Sequence, residues 1–320
     1  LRRHIRLVDS AAAHPPSSAE HAQLTTRAAA LSVGVAVLLI LLKGWAWLAS
    51  ASVAMLASLA DSTLDLLASL VMLFAVRYAA HPPDREHRFG HGKAEAFAGL
   101  IQGGLVAISA VLIALEAVPR FFASTPVAHG FESLAVMVVS IVLTAGLISA
   151  QTRAIRRTGS VATRADRMHY LGDLATNFAV MIGIGAGAYF GWSWADPIAA
   201  LFVAGWLSWG ALNVGREAAD HLLDRELPEP QRQRIRALAE TDPRVGRVHD
   251  LRTRTSGPYI HIQFHIDLAP MMTLEDAHHL IVAAEERIRA EFPTADIIIH
   301  PDPRGRAEPH GHEDFERASG

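Results

Sequence analysis

Six segments of this chain are long and apolar enough to cross a lipid bilayer, and that series constrains the fold more than any other feature. A hydrocarbon core of ~30 Å takes ~20 mostly apolar helical residues to span. Residues 26–48, 53–78, 95–118, 131–152, 162–190 and 194–214 each meet that length, with short polar connections between them. One such run alone is compatible with a buried core helix; six in succession predict a membrane-embedded all-α bundle. The remainder has another character. Residues 24–215 hold 22 charged side chains in 192, whereas residues 225–304 hold 24 in 80. The second stretch is as charged as a soluble domain, so the chain divides into a transmembrane domain (24–215) and a polar one (216–304).

Basic residues in the short loops orient the bundle. Arg77, Arg85, Arg88 and Lys93 lie in or beside the connection of the second and third spans, and Arg153, Arg156, Arg157, Arg164 and Arg167 in or beside that of the fourth and fifth. The opposite side carries Arg120 alone. This nine-to-one asymmetry places both termini and the polar domain in the cytoplasm. Residues 1–23 contain no apolar stretch suited to a cleaved signal peptide. They read as a flexible arm, with an Ala/Pro/Ser-rich stretch from Ala11 to Ala19.

Periodicity changes in the polar domain. Residues 229–240 fit a helix and Val245–Thr255 a strand. From Tyr259 to Leu268, apolar even positions alternate with polar odd ones, the mark of a half-buried strand. Ser256, Gly257 and Pro258 supply the turn before it. Thr273 is placed to cap a helix over 274–291, with Asp276 at the capping-box distance. Ala295–His300 completes an αββαβ order, an α+β domain with its helices on one face of the sheet. Residues 305–320 read as a disordered tail.

Ionisable residues inside a membrane span mark function by default. The second span carries Asp61 and Asp65, the fifth His169 and Asp173, each pair on one helix face at i,i+4 spacing. A carboxylate at the bilayer centre costs ~2.5–3.5 kcal/mol on insertion scales, so these groups need a partner. No basic residue stands near mid-depth on either helix, and Lys43 is toward the outer end of the first. Three carboxylates and a neutral imidazole suit a divalent cation such as Zn2+; a protonated polar cluster or proton relay is the alternative. The two readings meet in exchange, because a proton and a metal compete for the same imidazole.

Two further clusters follow. Asp84, His87 and His91 lie in the loop between the second and third spans. His249, His261, His265, His278, His279, His300 and Asp302 crowd the polar domain. Zero cysteine among 320 residues with 17 histidines excludes thiolate sites, so any transition metal must sit on nitrogen and oxygen. A net charge of −3 argues against a nucleic-acid partner.

Several segments together resemble the cation diffusion facilitator family, closest to its bacterial zinc and ferrous-iron efflux pumps. They are Ala60–Asp65 (ADSTLD), His87–Glu95 (HRFGHGKAE), Arg164–Asp173 (RADRMHYLGD), His249–Pro258 (HDLRTRTSGP) and Ile297–Pro303 (IIIHPDP). The resemblance covers about residues 24–304. It implies a transport site of Asp61, Asp65, His169 and Asp173 and a loop site of Asp84, His87 and His91. It also implies a binuclear site of His249, His265, His278, His300 and Asp302 at the dimer interface of a metallochaperone-like cytoplasmic domain. Lys93 and Asp224 match a charge pair linking the membrane and cytoplasmic parts across the dimer. His261 matches no ligand, and Pro301 stands where close relatives often have a polar residue.

The expectation is therefore a homodimeric antiporter in a bacterial inner membrane. It would export Zn2+, with Fe2+ or Cd2+ fitting the same ligands, against protons as coupling ion. A membrane-embedded metallohydrolase would need a general base and a cleft, and no HExxH-type motif is present. A membrane-anchored metal sensor would keep the cytoplasmic ligands without needing charged pairs at mid-membrane.

Overall fold

A computed structural model describes residues 17–50, 53–122, 131–190, 192 and 194–305. Its contacts divide into two compact units: a helical one over Ser18–Glu226 that also includes Arg254–Tyr259, and an α+β one built from Leu227–Thr253 and the residues from Ile260 on.

The helical unit contains α1 (Ser18–Ser50), α2 (Val53–Ala79), α3 (Lys93–Phe122), α4 (Phe131–Thr158), α5 (Val161–Phe190) and α6 (Ala195–Leu222). All but α5 have a described span long and apolar enough to cross a membrane. In α5 the charged residues Arg164, Asp166, Arg167 and Asp173 all fall in the first half of the helix. The outward surface is apolar, with Leu48, Phe74 and Phe202 about three-quarters exposed. Inside, alanines and serines such as Ala36, Ala46, Ser62, Ala162 and Ala165 let the backbones approach closely.

The helices outrun their apolar segments. The first begins at Ser18, inside the stretch expected to be a flexible arm, with Glu20 in its first turn where a carboxylate complements the helix dipole. Residues 1–16 and 306–320, the rest of that arm and nearly all of the expected disordered tail, lie outside the described residues. The sixth helix continues past 214 to Leu222, and the fourth past 152 to Thr158.

Several polar groups inside this unit are matched to one another. Asp166 is buried, and its Oδ2 accepts from Ser32 Oγ at 2.5 Å and Gln151 Nε2 at 2.8 Å. That carboxylate ties α5 to α1 and α4. Glu95, also buried, accepts from Ser160 Oγ and pairs with His21 Nε2 at 3.4 Å.

In the α+β unit, α7 (Glu229–Ala239) and α8 (Leu274–Glu291) accompany a sheet ordered β1 (Val248–Ser256), β2 (Tyr259–Leu268), β3 (Ala295–Pro303). This is the αββαβ order expected. The strand β2 and the helix α8 have the bounds that periodicity and capping predict. Thr273 Oγ1 accepts from the Asp276 backbone N–H at 3.1 Å and donates to the Asp276 carboxylate at 2.6 Å. Ile262, Phe264, Ile266 and Leu268 pack with Ile297 and Ile299 against Ile235 and Ala239 of α7 and Leu280, Ala284 and Ile288 of α8. Both helices thus cover one face, and the other is left for polar side chains.

The turn between β1 and β2 has Gly257 at φ +57°, a left-handed conformation that glycine adopts without penalty. It lies against Gly92 within the helical unit. A Cβ on Gly257 would stand 2.9 Å from Gly92 Cα, and a Cβ on Gly92 would strike the Ser256 carbonyl oxygen. Backbone meets backbone with no room for a methyl group. Arg254 stacks 4.8 Å over the ring of Phe89 beside this contact. Gly92→Ala is therefore expected to expel the turn, raising the rate of tryptic cleavage at Arg254 several-fold; an unchanged digestion rate would refute the close packing.

Candidate metal centres

The α2 and α5 positions singled out for their charge come together, with one exception. Asp65 Oδ1 lies 3.0 Å from His169 Nε2, and Asp173 Oδ2 lies 3.9 Å from the same nitrogen. One donor atom from each of the three residues falls within 4.8 Å of the others. Bonds of ~2.0–2.2 Å place tetrahedral Zn2+ ligands ~3.4 Å apart, so the Asp65–His169 pair is within range and Asp173 needs a small inward shift. Asp61, one turn from Asp65, is exposed and outside this grouping. Helical spacing puts it on the correct face but one turn along the axis, ~6 Å away.

Lys43 adds a basic group beside these positions. Although it lies toward one end of α1, its ammonium donates to Ser62 Oγ at 2.7 Å and the Ser58 carbonyl at 3.3 Å, beside the acidic positions of α2. Depth along one helix does not reveal which turn of a neighbour a long side chain reaches.

The loop cluster also forms. Asp84 Oδ2 is 3.3 Å from His91 Nε2 and its Oδ1 3.5 Å from His87 Nδ1, while the two imidazoles sit 4.6 Å apart. Asp84 Oδ1 also accepts the backbone N–H groups of His87 at 2.6 Å and Glu86 at 2.9 Å. The His87 amide above all, joined by that of Glu86 and the two histidines, holds the Asp84 carboxyl below the usual carboxylate range. Next to this loop, Lys93 Nζ pairs with Asp224 Oδ1 at 2.9 Å within one chain, and Arg254 reaches the same carboxylate at 3.3 Å. The Asp224 backbone is left-handed (φ +57°), which turns the chain directly after α6.

In the α+β unit the parallel register of β2 and β3 sets His265 beside His300 and Asp267 beside Asp302, on the face away from the helices. Asp302 is the hub. Its Oδ2 is 2.9 Å from His265 Nδ1 and 3.4 Å from His249 Nε2, and its Oδ1 is 3.4 Å from His300 Nε2. Two donor groupings result, His265/His300/Asp302 and His249/Asp250/His265, sharing His265.

Asp250 was not expected as a donor. Strict alternation would put it opposite His249, but its φ of +48° interrupts the strand, so Val248 and Leu251, three apart, are both buried. An irregularity of the β-bulge kind thereby leaves two adjacent residues on the polar side. Asp267 adds a carboxylate 3.5 Å from His249 Nε2. His278 remains apart, exposed on α8 next to His279. His261 is buried and pairs with Asp296 at 3.2 Å. Pro301 aligns with Ile266, on the helix-facing side of the alternation, so it does not displace a donor between His300 and Asp302.

Both units have counterparts among known proteins. Residues 29–223 match the cation efflux transmembrane domain, and residues 227–304 the cytoplasmic domain of cation efflux proteins. The cation-efflux pump FieF of Shewanella oneidensis is 43% identical over 272 residues, 85% of this chain and 92% of that protein. The cation-efflux pump FieF of Escherichia coli K12 is 39% identical over 283 residues, 88% and 94% respectively. The metal-bound C-terminal domain of the CzcD transporter from Thermotoga maritima is 29% identical over 25% of this chain and 93% of its own, with a TM-score of 0.24.

Because its carboxyl is held low, Asp84 anchors the loop fully above the ordinary carboxylate range, and the anchoring is lost only as pH falls through the lowered value. Amide exchange at Glu86 and His87 should thus stay slow at pH 5, and Asp84→Ala should accelerate it at every pH. Fast exchange in the parent at pH 5 would contradict the anchoring.

Proposed function

The chain belongs to the cation efflux family, and from that premise we propose that it exports Zn2+ from the cytoplasm in exchange for protons, with Fe2+ and Cd2+ as further substrates. It is a multi-pass membrane transporter of metal cations rather than an enzyme. The observation that carries the reading is the convergence of Asp65, His169 and Asp173 between two apolar helices. The imidazole among hard oxygens favours Zn2+ over Mn2+. Asp61 completes the ligand set when the α2 face closes toward α5.

The residues work by changing partner. Facing the cytoplasm, Asp65 and Asp173 give their charge, and His169 a lone pair, to the arriving cation. Facing the other side, protons compete for the same atoms and release it, since ligation requires His169 neutral and the carboxylates ionised. Rocking of the helix bundle exchanges the two faces. The nine-to-one distribution of basic loop residues orients both termini to the cytoplasm of a bacterial inner membrane. The transmembrane domain is then 24–215, and 216–304 is the cytoplasmic linker and metal-binding domain.

The cytoplasmic domain dimerises, and its polar face measures internal metal. Three imidazoles and Asp302 suit Zn2+ as a resident ion, which would supply a cross-link between elements. His278, apart from these donors within one chain, meets them from the partner across the dimer. Such a ligand shifts the transport cycle only through its differential affinity for the two dimer packings.

Asp65→Ala should abolish proton-coupled uptake of Zn2+ into sealed vesicles; retained metal-driven proton flux would sink the site assignment. His265→Ala should depress transport at limiting metal while sparing it at saturation, and an unchanged concentration dependence would refute sensing. Equimolar Zn2+, Fe2+ and Cd2+ in competition should leave Zn2+ the preferred substrate.

A further inference from the structure

Between Ala28 and Ser50 the sequence carries a single charged side chain, Lys43. A lysine held inside a membrane span is costly much as a carboxylate is, and one that neither ligates metal nor snorkels freely needs a reason to be there. The structure holds its ammonium by two oxygens of α2, Ser62 Oγ and the Ser58 carbonyl. Ser62 is fully buried. The Ser58/Ser62 row runs beside the Asp61/Asp65 row on the same helix, and Asp65, Asp173 and Asp61 all lie within electrostatic reach of the ammonium.

We infer that Lys43 is a specificity-determining residue of the transport site, a tethered countercharge that lowers the surplus of three carboxylates to two and so matches the pocket to a divalent cation. The inference rests on the assignment of Asp61, Asp65, His169 and Asp173 as the transport site. An ammonium has three donors and no lone pair, so it cannot itself take a place on the metal. Seated on serine oxygens, it leaves the carboxylate oxygens available. With His169 neutral, the loaded pocket is uncharged. Without Lys43 the same loaded pocket carries −1 and retains its cation more strongly, which favours binding and hinders release. Two other acids stand nearby. Asp166 is engaged by Ser32 and Gln151, and Glu116 lies within electrostatic reach of Asp61 from α3. Neither replaces the missing positive charge.

The test is Zn2+ uptake into vesicles with an imposed pH gradient. Lys43→Met should lower KM for Zn2+ about tenfold or more and lower kcat as release slows. Lys43→Arg should keep both near the parent. Lys43→Gln, which keeps a donor for Ser62 without the charge, replaces the methionine variant if that one does not fold. A structural role would not alter charge preference, so inhibition by La3+ is the second readout. Neutralising Lys43 should make La3+ inhibit at about tenfold lower concentration. A KM that is unchanged or raised in a variant that melts like the parent, or unaltered La3+ sensitivity, overturns the countercharge. Asp65→Ala in the same vesicles separates the two ideas. Transport lost there with KM unchanged in Lys43→Met rejects only the role of Lys43, whereas transport retained there rejects the site itself.

Discussion

Charge cannot stand alone in hydrocarbon, and the arrangement of the helical unit follows from that. Each ionised side chain at depth costs a few kcal/mol, comparable with a large fraction of a domain's net stability. The molecule meets this cost by bringing opposites or donors together. Asp65 takes His169, Asp166 takes Ser32 and Gln151, Glu95 takes Ser160 and His21, and Lys43 takes Ser62. These pairings cross between helices, so they also fix which faces meet. Asp65 and Asp173 share one imidazole, at 3.0 and 3.9 Å.

The polar domain solves a different problem with a parallel pair of strands. One face of β2 and β3 must bury isoleucine and phenylalanine against two helices, so the histidines and aspartates on the alternate positions are forced onto the other. In-register pairing then stacks His265 on His300 and Asp267 on Asp302. Hydrophobic burial on one side thus decides the donor geometry on the other.

Much of this was legible because local rules act at short range. Alternation alone delimits β2, and Thr273 with Asp276 delimits the start of α8. The helical pairs Asp61/Asp65 and His169/Asp173 announce themselves by spacing. What escaped depends on the partner surface. Lys43 reads as peripheral on its own helix but reaches Ser62 on the next. Asp166 sits within a recognisable motif, yet its burial depends on Ser32 and Gln151, more than a hundred and fifteen residues apart in sequence. Asp250 joins the polar face through a positive φ that no periodicity anticipates, and Asp61 satisfies the spacing without meeting the other donors. Extended charge at helix ends was likewise invisible to a hydropathy window, which is why the helices outrun their apolar segments.

The pairing of His265 with His300 has a topological consequence. Among the described residues, β3 is the last strand in chain order and lies at the sheet's edge, paired with β2 alone, while α8 intervenes between the two along the chain. A cation bound by both strands would close a covalent-like ring through that helix, restraining the edge strand. Metal load would then be written in the folding equilibrium of an edge strand as well as in any rearrangement of the dimer.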